Sequence, residues 1–470
     1  MHTKSLLMAG FSYRIVFKQG EQAMTHILHL KAPGNWINDP NGFIFYKGKY
    51  HLFYQYFPFA PVWGTMHWGH AVSEDLVHWE HLGIALFPTM HEDRDGCFSG
   101  SALEHDGKLY LYYTGIHYDR GKPENVHSCE GEEFESAQLM ISSEDGVCFD
   151  NFSDKRVVIP VIKDEAVGDR KDTRDPKVWQ EGESFYMVLG STYRKEMGRI
   201  LFYKSRDGKN WEYGAQLQSA RFGRILECPD IFRIGEGYVL IGSPMYIEKA
   251  KGYEHHAVCM PVEFDTGTCT LTVPEWEETG PFCQRYQYVD YGMDLYAPQT
   301  NVDRDGRRVM IGWMRMPKAV EKTGQTPWNG MMSLPRVIET EGGHIYFRIH
   351  PEVEKYFNQE LPEEKRHILD FPCRIQTVLK DGESLDIGGY RIWAEQGKVK
   401  TDRSRVFDNL KGYHMVCETP RVREFWLDIF VDENLIEVFV NEGEYVLSNV
   451  VYGLGGRIEG HIERRSKGDS

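Results

Sequence analysis

The most regular signal along the chain is a short polar turn followed by a run of apolar and aromatic residues. It occurs five times: KGKYHLFYQY from Lys47, DGKLYLYYTG from Asp106, EGESFYMVLG from Glu181, GEGYVLIG from Gly235 and DGRRVMIGWM from Asp305. The marker glycines Gly48, Gly107, Gly182, Gly235 and Gly306 stand 59, 75, 53 and 71 residues apart. Apolar runs of this length, bounded by Gly and Asp, read as strands entered from hairpin turns. A second repeat follows in three of the units: SEDLVHW from Ser73, SEDGVCF from Ser143 and SRDGKNW from Ser205. Its Asp and Gly suit a turn, and its last aromatic suits a packing position. Each unit is long enough for several antiparallel strands, and helical periodicity is scarce before about residue 350. The pattern predicts an all-β chain that begins as a five-bladed β-propeller around a channel. Ordinary hairpins in a sandwich are the simpler rival, and fivefold recurrence disfavours them.

The propeller is expected over residues 24–348. A polar stretch at 349–362 reads as a linker with a short helix. Period-two alternation then returns: Phe425, Leu427, Ile429 and Val431, a turn at Asp432-Glu433-Asn434, then Ile436, Val438 and Val440. This predicts a C-terminal β-sandwich over 363–457, with 458–470 as a charged tail. Residues 1–23 read equally as an N-terminal extension ahead of a start near Met24 or as an ordered extra strand.

Composition narrows the function. With 54 basic and 70 acidic residues the net charge is −16, which argues against nucleic acid and anionic membranes as partners. Aromatic residues make up 13%, which fits a β-rich protein, a sugar-binding protein, or both. The nine cysteines are scattered without a CxxC pair. They read as free thiols of a reducing compartment, so the expected location is the cytoplasm. No apolar run is long enough for a membrane span. His67, His70, His78 and His81 cluster without a metal-ligand spacing, and no EF-hand loop or dinucleotide fingerprint occurs. Neither a metal nor a cofactor is expected.

The unusual segments fall at one place in each repeat. WINDPNG (36–42), CFSGSA (97–102), TRDP (173–176), ECPD (227–230) and DLYAPQ (294–299) end six, five, six, five and seven residues before the marker glycine. All five thus lie on the strand before the first hairpin turn. In a propeller that strand lines the channel, so residues at equivalent places converge at one mouth. Asp39, Asp175 and Glu227 are then expected to meet. Alone, each acid is more simply a turn former. Together they suit glycoside hydrolysis, with one carboxylate as nucleophile and one carboxylic acid protonating the leaving oxygen.

In this order WINDPNG, YQYFP, the two WG pairs Trp63-Gly64 and Trp68-Gly69 followed by His70-Ala71, FSGSA, RDP, ECPD and DLYAPQ resemble glycoside hydrolase family thirty-two, over roughly residues 24–455. The resemblance implies a five-bladed propeller followed by a β-sandwich. It implies a retaining β-fructofuranosidase acting on sucrose, sucrose 6-phosphate or short fructo-oligosaccharides through a covalent fructosyl-enzyme. By the same resemblance Asp39 is the nucleophile, Glu227 the general acid/base and Asp175 the transition-state stabiliser. Asn38, Gln55, Trp63, Phe98, Ser99 and Arg174 match substrate contacts, Trp313 matches an aromatic wall, and Tyr296 and Gln299 match positions near the mouth. Phe57 departs from the Asn common in the family and is expected at the pocket rim.

Two other readings stay open on sequence: an inverting arabinan- or xylan-type glycosidase on a similar propeller, and a non-catalytic sugar-binding protein. The expected partner is a small-molecule fructoside, and association into a homo-oligomer stays open. A phosphorylated substrate needs basic residues gathered against the net charge. Arg94, Arg194, Lys195, Arg221 and Arg224 lie in loops that could supply them.

Overall fold

A computed structural model of the chain describes residues 25–249, 252–273, 287–357 and 367–460. The extension at 1–23, the end of the linker, Cys283 and the last ten residues lie outside these. The regular elements among the described residues are almost all strands. The eight cysteines among them are free thiols, and no described helix is long and apolar enough to cross a membrane.

Five antiparallel sheets of four or more strands follow one another along the chain. Their first strands are β1 (Asn35–Tyr46), β2 (Gly96–His105), β3 (Arg174–Glu181), β4 (Ile225–Ile234) and β5 (Leu295–Val302). These lie against one another in a closed ring, β5 returning to β1. The ring is also tied by Asn35 and Trp36, which pair in parallel with Trp328 and Asn329. The marker glycines are where each first strand reverses. Lys47-Gly48 and Asp106-Gly107 both have positive φ at both residues, the two-residue turn that matches strand twist. The second repeat is also a turn. Ser73 Oγ accepts from Leu76 N and Asp75 Oδ1 from Val77 N and His78 N, and the same bonds recur at Ser143/Asp145 and Ser205/Asp207. The fourth residue is left-handed each time, Leu76, Gly146 and Gly208, so two of the three are glycine.

The C-terminal part packs two sheets face to face. One contains β6 (Cys373–Val378), β7 (Trp426–Asp432), β8 (Leu435–Val440) and β9 (Tyr445–Val450). The other ends in Ile458–Gly460, which pairs with Ser384–Ile387, so a strand begins where a charged tail was expected. Leu427, Ile429, Val431, Ile436, Val438 and Val440 face the sandwich core. The opposite faces of β7 to β9 are buried too. Phe430, Leu435, Phe439, Val446 and Val450 belong to the same apolar cluster as Phe232, Leu295, Met310 and Leu334 of the propeller.

Charged groups are buried in this joint. Arg336 Nη2 donates to Asp290 Oδ2 at 2.8 Å, to Glu437 Oε2 at 2.7 Å and to Ser448 Oγ at 2.8 Å. His29 bonds Asp432 and Glu437, each at 3.1 Å. Arg403 of the sandwich holds Asp294, the residue before β5, through Nη2 at 3.0 Å. Each charge has an opposite partner within hydrogen-bond reach, which is what lets it stay out of water.

Candidate active site

Each first strand carries an irregularity at the same place. The ladder skips between Ile37 and Pro40, Phe98 and Gly100, Arg174 and Lys177, Glu227 and Asp230, and Tyr296 and Gln299. A bulge bends the strand and re-aims side chains, and proline fits where ladder bonds are interrupted. This explains why Asp-Pro, Cys-Pro and Ala-Pro recur in the segments singled out from the sequence. Asp175, Cys228 and Ala297, each before its proline, are all left-handed, with φ of 65°, 47° and 46°. Non-glycine residues rarely adopt that conformation, so strain is held at the mouth three times. Gly100 has another reason. A Cβ there would stand 1.9 Å from the Tyr112 carbonyl oxygen.

The three acids converge, but not from equivalent positions as the spacing implied. Glu227 is the last paired residue before its bulge, Asp175 the first residue within its bulge, and Asp39 the second. The stagger brings their groups toward one point from three strands. The Cys228 thiol lies 3.7 Å from both Asp39 Oδ2 and Asp175 Oδ2, and Cys228 N donates to Asp175 Oδ2 at 2.9 Å.

Most residues expected to touch substrate also hold the acids. Trp36 Nε1 donates to Asn38 Oδ1 at 2.8 Å, and Asn38 Nδ2 donates to Asp39 Oδ1 at 3.2 Å. Gln55 Nε2 donates to Ser99 Oγ at 2.6 Å, and Ser99 donates to Asp39 Oδ2 at 2.5 Å. Arg174 Nε and Nη2 donate to Glu227 Oε1 at 3.2 and 2.9 Å, and Nη1 to Asp172 at 2.8 Å. Tyr296 OH donates to Glu227 Oε2 at 2.7 Å. Trp36, Thr114, whose hydroxyl accepts from Asp175 N, and Asp172 were missed from sequence. None carries a local signal, because each is recognised only by its bond to another strand or to a neighbour already in the site.

Aromatic residues surround this core. Trp313 stands edge-on to Trp36 and Tyr296, with centroids 6.0 and 6.4 Å away. Trp63 is 45% exposed and edge-on to Phe98 at 6.0 Å. Two expectations are corrected. Phe57 is buried beneath Phe59 and His127 rather than standing at the rim, because a Trp36-paired strand position turns it inward. Gln299 is not at the mouth. It is buried beyond the bulge, where its amide accepts from Phe43 N and donates to the Gly100 carbonyl, joining three first strands. Among the described residues no group of His, Cys, Asp and Glu is arranged to hold a metal ion.

The electrostatics follow from burial. Asp39 is pushed up to about 6, chiefly by burial and also by the Glu227 charge, while the bonds from Ser99 and Asn38 oppose the rise. Asp175 is pushed up to about 7 by burial, against the pull of Arg174 and with the charges of Glu227 and Asp39 adding to it. Burial disfavours the Arg174 charge, but Glu227, Asp172 and Asp175 hold it protonated. Burial thus keeps a proton on Asp39 and Asp175 nearer neutrality than on isolated carboxyls.

A propeller with paired acids at its mouth, one hydrogen-bonded by Ser99 and Asn38 and one gripped by arginine and tyrosine, is the architecture of a glycoside hydrolase. Comparison with known proteins makes the class specific. The description "Glycosyl hydrolases family 32 N-terminal domain" matches residues 29–351, and "Glycosyl hydrolases family 32 C terminal" matches residues 356–468. The chain belongs to glycosyl hydrolase family 32. It is 33% identical over 446 residues to a sucrose-6-phosphate hydrolase of Escherichia coli, covering 90% of this chain and 88% of that one. It is also 33% identical to a raffinose invertase of Escherichia coli, covering 91% and 89%. Among solved structures, the β-fructofuranosidase of Bombyx mori is 30% identical with a TM-score of 0.75, covering 93% and 91%. The sucrose-6-phosphate hydrolase of Lactobacillus gasseri is 25% identical with a TM-score of 0.77, covering 93% and 90%. The inverting-glycosidase and non-catalytic readings are disfavoured by this kinship.

Proposed function

We propose that the chain is a retaining β-fructofuranosidase that cleaves the terminal fructosyl unit from sucrose or sucrose 6-phosphate. The carrying observation is Asp39, with hydrogen bonds on both oxygens, beside a Glu227 held by Arg174 and Tyr296. Asp39 attacks the anomeric carbon while Glu227 gives its proton to the departing oxygen. The carbon–oxygen bond to the leaving sugar breaks and a fructosyl ester on Asp39 forms. Glu227, now a carboxylate, takes a proton from water, which displaces Asp39 and retains configuration. Asp175, oriented by Cys228 N, holds fructose hydroxyls as charge develops on the ring. Arg174 steadies Glu227 in its ionised phase. Trp63, Phe98 and Trp313 offer apolar faces to the sugar. The reading keeps the enzyme in the cytoplasm, with a small soluble fructoside as its partner.

Two measurements test this. Sucrose turnover in methanol-containing buffer, followed by NMR, yields methyl β-fructofuranoside beside fructose. Methyl α-fructofuranoside would point to inversion, and absence of fructose would reject the activity. The second is the pH profile. Asp39 works ionised and its carboxyl is raised to about 6. Activity is therefore lost as pH falls through about 6, not through the usual carboxylate range near 4. The Ser99 bond favours the ionised form, so Ser99→Ala moves the acid limb of kcat/KM upward. A limb that stays in place in Ser99→Ala removes Asp39 as its origin.

A further inference from the structure

A chain of net charge −16 gathers cationic and donor groups on one side of the mouth. They begin at Glu227. Tyr296, which donates to Glu227, carries the Arg315 guanidinium over its ring at 5.3 Å. Arg315 is half-buried, and among the described residues it has no carboxylate partner. Its Nη2 donates to the Met293 carbonyl at 2.5 Å and its Nε to the Asp294 carbonyl at 3.4 Å, which fixes the plane and leaves Nη1 unused there. Arg174, Arg336 and Arg403 by contrast grip carboxylates, whereas Arg199 is held by backbone carbonyls, like Arg315, and by an amide. His255, also half-buried, feels the charges of both Arg315 and Glu227. Its Nδ1 accepts from Tyr246 N at 3.2 Å, so its proton is on Nε2. Tyr246 packs edge-on against His255 at 5.2 Å and carries the Arg224 guanidinium over its ring at 5.1 Å. Arg224 is exposed just before β4, three residues from Glu227.

The side of the pocket matters. A general acid protonates the glycosidic oxygen, so the sugar that leaves lies beside Glu227 and outward from it. A guanidinium without a carboxylate and a neutral imidazole donor lie on the Tyr296 and Glu227 side of the site, with a second guanidinium beyond Tyr246. This set of donors suits a tetrahedral oxyanion. An arginine fork binds phosphate in the same planar way it binds carboxylate.

We propose that Arg315 and His255, with Arg224 at the outer end, receive a phosphoryl group carried on the departing sugar. The proposal rests on the β-fructofuranosidase reading above and adds the residues that select its substrate. Of the basic positions flagged in the sequence only Arg224 takes part. Arg94 lies 3.6 Å from Asp95, and Arg194 lies over Tyr193.

The test compares kcat/KM for sucrose 6-phosphate and sucrose in the natural chain, Arg315→Gln, Arg315→Lys and Arg224→Gln. The natural chain favours the phosphorylated sugar. Arg315→Gln lowers the ratio roughly tenfold or more, Arg315→Lys restores part of it, and Arg224→Gln lowers it severalfold. Product inhibition gives a second readout. Glucose 6-phosphate inhibits more strongly than glucose or inorganic phosphate, and Arg315→Gln removes the difference. Equal losses on both sugars would make Arg315 a mere support for Tyr296 and overturn the proposal. So would a natural chain indifferent to the phosphate. If Arg315→Gln does not fold, the Arg224→Gln ratio decides. If neither sugar is cleaved by the natural chain, the underlying reading falls instead.

Discussion

Asp39→Asn is expected to lower kcat for sucrose on the order of 10⁴-fold or more while the chain folds as before. The amide is close in shape, can still accept from Ser99, and cannot form the fructosyl ester. Stability is expected to rise. A carboxyl raised from 3.8 to about 6 is one that the folded chain prefers protonated. The unfolded chain ionises first as pH rises from 4, so the folded state is penalised increasingly up to about pH 6 and fully above it. The penalty at pH 7 is about 3 kcal/mol, order of magnitude only. Neutral Asn escapes it. Thermal melts at pH 7 and pH 4.5 check the sign, because the gain over the natural chain shrinks at the lower pH. An Asn variant that turns over sucrose normally would end the assignment of Asp39.

Glu227→Gln is expected to lower turnover of sucrose roughly 10²- to 10⁴-fold, the range for removal of a general acid. The loss depends on the leaving group. A nitrophenyl fructoside, whose leaving group departs without a proton, recovers most of the first step. Its second step stalls for want of a base, so a burst of nitrophenol precedes a slow steady state. Azide, which needs no base, restores turnover and appears as β-fructosyl azide. Stability moves opposite to that of the Asn variant, because Gln strands the buried Arg174 guanidinium with Asp172 as its remaining carboxylate partner. A Gln variant with equal losses on sucrose and on the nitrophenyl fructoside would assign Glu227 a role other than proton donor.

The fold was largely legible because its signals are local. Hairpin glycines, Ser-Asp turns and apolar runs are each written within about ten residues. The convergence of Asp39, Asp175 and Glu227 was legible at the level of the strand, since all five motifs precede a marker glycine by similar distances. It was not legible at the level of the residue. Three acids in three successive positions around a bulge look equivalent when only the following turn is counted. The outer faces of β7 and β8 were also hidden. Asp428, Asp432 and Glu437 alternate with apolar residues as a solvent-facing set would, yet all three are buried. Their partners Arg374, His29 and Arg336 lie 54, 403 and 101 residues away. Nothing in either local sequence announces such a match. The same limit concealed Arg315 and His255, which gain meaning only beside Tyr296 and Glu227.

The grip of Arg403 on Asp294 carries a consequence for how such a protein can be taken apart. Asp294 precedes β5, the strand that presents Tyr296 to Glu227. Glu227 is thus braced, three links away, by the C-terminal part of the chain. The apolar cluster between the two parts is as buried as either interior. Cutting them apart would uncover that surface and several unmatched charges at once. The sandwich is therefore an inseparable foundation of the catalyst rather than a detachable accessory, and a shortened enzyme cannot be had by trimming it.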